Sequence, residues 1–167
     1  MSAPGKLATD PLNCWRTPRS ILDRLGHFDL DPCASDDAPT RCAARGITAQ
    51  EDGLSAPWTG RVWCNPPYGR HMREWLERCA AHGDAIALVP PTSIGAAWLH
   101  RILAGTTIIF VQGRIAFIDP ATGDAVNGNT AWSILIAWGE RNRAALRECG
   151  VAGIVAELPS AKVEALA

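Results

Sequence analysis

Short apolar runs alternate along the chain with segments of helical periodicity. The clearest helix follows residue 71, where Met72, Trp75, Leu76 and Cys79 recur at spacings of three and four and charged residues fill the opposite face. A fully apolar run at residues 85–89, closed by two prolines, predicts a strand buried on both faces of a sheet. The repeating order of strand and helix is typical of an α/β fold with a mostly parallel sheet.

The same periodicities predict the remaining elements. Strands are expected at residues 28–31, 61–64, 106–111 and 132–138, and helices at residues 20–25, 94–103 and 142–149. Residues 34–57 are polar and irregular, and residues 119–130, rich in Gly and Asn, predict a flexible loop over the ligand crevice. We expect a single domain over residues 12–158, with flexible ends at residues 1–11 and 159–167.

Composition narrows the class of protein. The chain has 167 residues and a formal net charge of −1, so basic residues that bind nucleic acid would have to be grouped on one face. No apolar run approaches the roughly 20 residues that cross a bilayer, and the first ten residues lack a signal peptide's apolar stretch. We therefore expect a cytoplasmic protein with no membrane partner. The six cysteines form no C-x-x-C pair, which favours free thiols and predicts no metal site.

The strongest chemical signal is the turn Asn65-Pro66-Pro67-Tyr68, directly behind a predicted strand. Proline has no N–H, so the turn presents carbonyl oxygens that no neighbouring strand binds. The Asn65 side-chain oxygen and the Pro66 carbonyl offer two acceptors for one amino group, and Tyr68 offers a flat face for a planar ring. Two such acceptors favour a pyramidal, more nucleophilic nitrogen in an aromatic amine. The alternative is a proline-stiffened strand exit with a surface tyrosine.

The ordered motifs resemble those of the phage-type DNA N6-adenine methyltransferases, within the wider class of Rossmann-like methyltransferases that carry N-P-P-Y. The resemblance covers about residues 14–138 and rests on residues 15–18, 30–35, 51–54, 58 and 62–69, in that order. It implies an abbreviated Rossmann-like sheet, S-adenosylmethionine as cofactor, and methyl transfer to the N6 amino group of adenine in double-stranded DNA. The adenine would be flipped out of the duplex, because its amino group is otherwise paired. The expected setting is a bacterial or phage-infected cell.

The resemblance also implies roles outside the N-P-P-Y turn. Asp31 stands where the family has an acidic residue near the methionine or ribose part of the cofactor, and Asp52 where it has one near the adenosine. The other residues expected to line the cofactor site are Trp15, Thr17, Pro18, Pro32, Cys33 and Ala34. The residues expected to carry the catalysis are Asn65, Pro66, Pro67 and Tyr68. The Gly-x-Gly turn usual in larger methyltransferases is absent, and residues 32–35 replace it.

Arg70 and Arg114 are the candidate DNA-binding residues. Arg114 has a family counterpart and would touch a phosphate or brace the base pocket. Arg70 lies with Arg73 and Arg78 on a charged helix face, for which simple solvent exposure is the alternative. The sequence leaves open methylation of cytosine N4, RNA guanine or protein glutamine, and a catalytically silent nucleic-acid-binding module. It also leaves open the DNA recognition sequence and the oligomeric state.

Overall fold

The computed structural model describes residues 16–35, 42–119, 122–126 and 132–160. Within these ranges the chain forms four helices and nine strands. In chain order they are α1 (Arg19–Leu25), β1 (Leu30–Asp31), β2 (Arg45–Gly46), β3 (Val62–Cys64), α2 (Met72–His82), β4 (Ala85–Val89), α3 (Ala97–Leu103), β5 (Thr107–Val111), β6 (Phe117–Ile118), β7 (Ala125–Val126), β8 (Ile134–Trp138), α4 (Glu140–Glu148) and β9 (Gly153–Glu157).

Seven of these strands form one sheet in the order β2-β1-β3-β4-β8-β5-β9. β1 pairs in parallel with β2 and β3, and β3 pairs in parallel with β4. β8 lies antiparallel between β4 and β5, and β9 pairs antiparallel with β5. The strands β1 to β5 therefore point in one direction, and β8 and β9 in the other. The α/β class is confirmed, in a mixed sheet whose parallel pairings lie in the β2–β4 half.

Helices cover both faces of the sheet. Alternate residues of β4 show the two layers: Ala85, Ala87 and Val89 belong to the core cluster formed with α2 and α3, and Ile86 and Leu88 belong to the cluster formed with α1 and α4. All five residues are buried. A strand between two helical layers has no side that faces solvent, which explains the unbroken apolar run that predicted it.

The observed boundaries agree closely with the predicted ones except in α3. α2 ends at His82 and is followed by Gly83, which adopts the left-handed conformation (φ 77°) that commonly closes a helix. The helix predicted from residue 94 begins instead at Ala97. Ser93, at φ 60°, has a left-handed backbone and is followed by a turn, so the helix cannot start before that turn is complete.

Two expectations for the carboxyl-terminal half are wrong. β9 follows α4 where no strand was predicted, and it pairs with β5 from Gly153 to Glu157. Its residues are mostly exposed, so this edge strand lacks the buried pattern that identifies a strand from sequence. The predicted loop at residues 119–130 contains β7, which forms a hairpin with β6 across a turn at Gly123 (φ 76°). Residues 120–121 and 127–130 of that loop, and residues 1–11 and 161–167 of the predicted ends, lie outside the described residues.

A buried polar network ties together the amino ends of β3 and β4. Arg61, just before β3, donates from Nε to Asn142 Oδ1 (2.6 Å) and from Nη1 to the His27 carbonyl oxygen (2.8 Å). Asn142 is fully buried and donates to Asp84 Oδ1 (2.7 Å) and to the Trp138 carbonyl oxygen (2.8 Å). Burial lowers the pKa of the Arg61 guanidinium. Asn142, a residue of α4, therefore connects the Arg61 guanidinium to the Asp84 carboxylate.

Replacing Asn142 tests this network. Asn142→Leu should lower the free energy of unfolding by about 3 kcal/mol, because Arg61 and Asp84 would each lose a hydrogen-bond partner in a buried setting. Urea denaturation followed by circular dichroism would measure the change. Gln112→Leu, which removes an exposed amide, should change stability by less than about 0.5 kcal/mol. Equal losses in the two variants would contradict a structural role for Asn142.

Candidate active site

The carboxyl ends of β1, β3 and β4 lie at one edge of the sheet, and a proline turn follows each of them. β1 is followed by Pro32, β3 by Asn65 and Pro66, and β4 by Pro90. Proline cannot donate to a strand ladder, so these exits leave the sheet abruptly. β1 has β2 on one side and β3 on the other, so the strand order reverses between β1 and β3. Ligand crevices of open α/β sheets form at such a reversal, outside the carboxyl ends of the strands.

Asp31 ends β1 as a buried carboxyl group. Burial raises its pKa from 3.8 to about 6, and hydrogen bonds from the Cys33 N–H (Oδ1, 2.9 Å) and the Cys42 side chain partly offset that effect. Among the described residues Asp31 takes part in no ion pair. Within the described part of the chain, its negative charge at neutral pH is compensated by two neutral donors, and a ligand cation would stabilise it further.

Thiols lie between the exits of β1 and β3. The Sγ atoms of Cys33 and Cys64 are 3.9 Å apart, and the Cys64 side chain also hydrogen-bonds to Cys79. Burial raises the pKa of Cys33 to about 11 and holds the pKa values of Cys64 and Cys79 well above the ordinary value. The groups are neutral at physiological pH and pack as small hydrophobic side chains. The prediction of free thiols is confirmed for the described cysteines.

Asn65 contacts the segment that leads into α1. Its Nδ2 donates to the Thr17 hydroxyl oxygen over 3.4 Å, although 48 residues separate the two in sequence. Thr17 is buried, and Pro18 precedes the first residue of α1. The neighbouring Arg16 pairs with Ile118 through two backbone hydrogen bonds, of 3.0 and 2.9 Å. The structure thus brings Thr17 and the start of α1 to the N-P-P-Y turn, while Trp15 lies outside the described residues.

The rest of the N-P-P-Y turn is packed inward. Pro66 is buried, and no backbone N–H of the described residues donates to its carbonyl oxygen. The Tyr68 side chain packs against the cluster that includes α2 and α3, and its hydroxyl is buried without a hydrogen-bond partner among the described residues. Burial raises the pKa of Tyr68 to about 12, so the hydroxyl is neutral. Tyr68 is therefore a partly buried residue and not simply the surface tyrosine of the alternative interpretation.

The loop that carries Asp52 packs against the exit of β1. A Cβ atom at Gly53 would collide with the Pro32 carbonyl oxygen and the Trp75 ring, so only glycine fits there. Asp52 adopts φ 56°, and its carboxylate accepts hydrogen bonds from the Leu54 N–H (3.2 Å) and the Ser55 hydroxyl (2.6 Å). The side chain is exposed next to the crevice and is held by its own turn.

Arg78 of α2 also holds this loop, which contradicts the solvent-exposed role considered from sequence. Its guanidinium donates to the carbonyl oxygens of Leu54 and Ala56 and lies 4.8 Å from the Trp58 ring centroid. The helical pattern correctly placed Arg78 opposite the apolar stripe. It could not show that an irregular loop covers that part of the helix.

The two candidate DNA-binding arginines are exposed. Arg70 lies in the turn before α2, and Arg114 follows β5 and Gly113. The guanidinium of Arg114 is 5.5 Å from the centroid of the Trp132 ring, which is a cation–π contact. Trp132 is 55% exposed. Sequence analysis missed this residue, because its place at the start of an apolar run indicated a buried strand position.

The chain matches the family model for DNA N-6-adenine-methyltransferase (Dam) over residues 6–151. It belongs to this family. A Dam-family relative from Escherichia phage T1, a DNA N-6-adenine-methyltransferase, is 27% identical, and the match covers 89% of this chain and 71% of the relative. No solved structure matches the chain significantly. The family indicated by the ordered motifs is thereby confirmed.

In this Dam-family chain the motif residues that are described gather at one edge of the sheet. Asp31 and Cys33 follow one strand, Asn65 follows the next, and Thr17 connects to Asn65 from α1. Within the described ranges, no group of three or more His, Cys, Asp or Glu side chains has a metal-binding arrangement. None of the helices in those ranges is long and apolar enough to span a membrane.

The buried Asp31 carboxyl makes stability depend on pH. Its pKa of about 6 in the folded protein exceeds the ordinary aspartate value of 3.8, so its contribution to stability is complete below about pH 4 and is lost as the pH rises through 6. The loss should amount to about 3 kcal/mol. Urea denaturation between pH 4 and 8 should show Asp31→Asn gaining stability over wild type as the pH rises. If the free energies of unfolding of the two proteins changed in parallel with pH, Asp31 would not be a buried carboxyl group that ionises in this range.

Proposed function

We propose that this chain transfers the methyl group of S-adenosylmethionine to the N6 amino group of adenine in DNA. The observation that carries the proposal is the meeting of Asp31 and the N-P-P-Y turn at the strand-order reversal, in a chain of the DNA N-6-adenine-methyltransferase family. Helices on both faces and the reversed strand order also support an abbreviated Rossmann-like sheet, in a single domain over residues 12–158. The proposed setting is the cytoplasm of a bacterial or phage-infected cell.

The donor set at β1 fits the proposed cofactor. S-Adenosylmethionine supplies an electrophilic methyl group on a sulfonium, and its amino acid part carries an ammonium group. Asp31 is a buried carboxyl without an ion-pair partner among the described residues, so it can accept from a cation or a hydroxyl group. Trp15, Thr17, Pro18, Pro32, Cys33 and Ala34 are proposed to line the methionine side with it. Asp52, exposed and fixed beside Pro32, is proposed to contact the adenosine side.

The N-P-P-Y turn is proposed to bind the target amine. The Asn65 side-chain oxygen and the Pro66 carbonyl would accept its two hydrogens and leave the nitrogen lone pair directed at the methyl group. The contact from Asn65 Nδ2 to Thr17 (3.4 Å) supports this assignment, because it engages the amide nitrogen and not the side-chain oxygen. Pro67 keeps the turn rigid, and the Tyr68 ring is the proposed stacking surface for the base. Positioning and electrostatics would supply the rate, with no covalent enzyme intermediate.

The substrate is proposed to be double-stranded DNA with the target adenine flipped out. An adenine amino group is paired within the duplex and out of reach of a buried turn. Arg70 and Arg114 are exposed, so each can bind a phosphate. Digestion of DNA from cells that express the protein, followed by nucleoside analysis, would identify the methylated base. Methylation of cytosine, or of no base, would contradict the proposal.

Removing the Asn65 amide should affect turnover far more than cofactor binding. Asn65→Ala should lower methyl transfer by about 10²-fold or more, because its interaction with the amine strengthens in the transition state. Tritium transfer from labelled cofactor to plasmid DNA would measure this, and isothermal titration should show cofactor affinity close to that of wild type. Asp31→Ala is the matched control with the opposite signature, a cofactor affinity weakened by about 1–3 kcal/mol.

Variants of Thr17 refine the same experiment. Thr17→Val keeps the shape but removes the hydroxyl that accepts from Asn65, whereas Thr17→Ser retains it. Thr17→Val should lower kcat, and Thr17→Ser should restore most of it, if the hydroxyl positions the amide. Asn65→Ala transferring methyl groups at the wild-type rate would show the proposed mechanism to be wrong.

The contribution of Tyr68 to methyl transfer should depend on its ring and not on its hydroxyl group. Tyr68→Phe removes a buried oxygen that has no partner among the described residues, so the free energy of unfolding should be unchanged or higher. The ring is kept, and methyl transfer should stay within about threefold of wild type. Tyr68→Ala should raise KM for DNA, since stacking is worth roughly 1–3 kcal/mol per base. A large activity loss in Tyr68→Phe would instead assign a chemical role to the hydroxyl.

A further inference from the structure

Trp132 stands at the same edge of the sheet as the proposed active site. Ile134, two residues later, pairs with Val89 at the carboxyl end of β4 and with Phe110 near that of β5. The Val111 N–H donates to the Ser133 carbonyl oxygen (3.1 Å), so the chain at Ser133 still follows β5. Trp132 therefore lies beyond the carboxyl ends of both strands. β8 is two strands from β3, which corresponds to about 10 Å across the sheet.

The chemistry around Trp132 is that of a nucleic-acid contact. A tryptophan that is 55% exposed leaves much of a large aromatic side chain in water. Arg114 lies over the ring at 5.5 Å and provides a positive charge on this otherwise apolar group. An aromatic face beside a guanidinium matches a base next to a phosphate, since bases stack on aromatic rings and phosphates bind arginine. The neighbouring charge favours DNA over an apolar protein partner.

We propose that Trp132 stacks on a DNA base at the edge of the active site while Arg114 binds an adjacent phosphate. The proposal rests on the proposed function, because it takes DNA as the substrate of the neighbouring site. An adenine that leaves the duplex exposes the faces of the bases next to it and loses its stacking on them. Trp132 precedes β8, which lies about two strand spacings from β3, so in this proposal its indole covers such a face. It would thereby lower the cost of extracting the target.

DNA binding by single-residue variants tests the proposal directly. The probe is a fluorescently labelled duplex oligonucleotide of mixed sequence, titrated with wild type, Trp132→Ala, Trp132→Phe and Val155→Ala. Val155 is the matched control, since it is 44% exposed and lies on the outermost strand, β9. Trp132→Ala should raise Kd at least fivefold, Trp132→Phe should keep most of the affinity, and Val155→Ala should stay within twofold. Circular dichroism would establish that each variant is folded.

A second measurement does not depend on activity. Stacking on a base should quench the fluorescence of Trp132, so DNA should quench wild type more than Trp132→Phe. The double variant Arg114→Gln/Trp132→Ala should raise the Kd for DNA by less than the product of the two separate fold-changes, because the two side chains are in contact. Wild-type affinity in Trp132→Ala, together with undiminished quenching in Trp132→Phe, would overturn the proposal.

Methylation of plasmid DNA, measured in parallel, separates this proposal from the proposed function. Wild type that binds DNA with Trp132 quenching but transfers no methyl group would contradict only the proposed function. Wild type that methylates adenine, with Trp132→Ala equal to it in binding and rate, would contradict only the stacking role. Loss of duplex binding and methylation in Trp132→Ala, with cofactor affinity intact, supports both.

Discussion

The parallel pairing of β1 with β3 is the constraint on which the candidate site depends. Leu30 lies opposite Val62, so β1 ends one residue short of the end of β3, and Asp31 and Asn65 come to one edge. A shift of one residue in that register would exchange the side chains between the two faces of the sheet. Trp63 would then leave the layer that it shares with α1, where it is fully buried. Core packing therefore fixes the geometry of the site.

The two edges of the sheet differ in how their polar groups are satisfied. At the amino edge, Asn142 links the Arg61 guanidinium to the Asp84 carboxylate, and Arg61 Nη2 is the buried nitrogen of this network that has no partner among the described residues. At the carboxyl edge, the Asp31 carboxyl is buried without an ion pair and the Tyr68 hydroxyl without a partner, within the described part of the chain. Buried groups of this kind reduce stability in the free protein. A ligand that supplied the missing ion pair or hydrogen bond would make an interaction that the free protein lacks, which is the property expected of a binding site.

Local chemistry explains which features were predictable from sequence. The N-P-P-Y exit was recognisable because proline restricts its own backbone, and β4 and α2 were recognisable from the periodicity of burial. The Thr17–Asn65 contact joins residues far apart in sequence, and neither residue type announces a partner. β9 is an exposed edge strand without a buried face to mark it, and Trp132 begins an apolar run that favours a core position. The sequence therefore did not reveal contacts between distant residues or which apolar residues are exposed.

The segment before α1 links the two halves of the proposed site. The backbone of Arg16 is hydrogen-bonded to that of Ile118, and Thr17 contacts the Asn65 amide. This segment therefore lies against the exit of β3. The proposed place of Thr17 beside the cofactor and its contact with Asn65, the residue proposed to bind the target amine, both follow from the position of this segment. An amide that already has a hydrogen-bond partner in the free protein would lose less freedom on binding the proposed amine. Preorganisation of this kind is what a site needs when it accelerates methyl transfer by positioning alone.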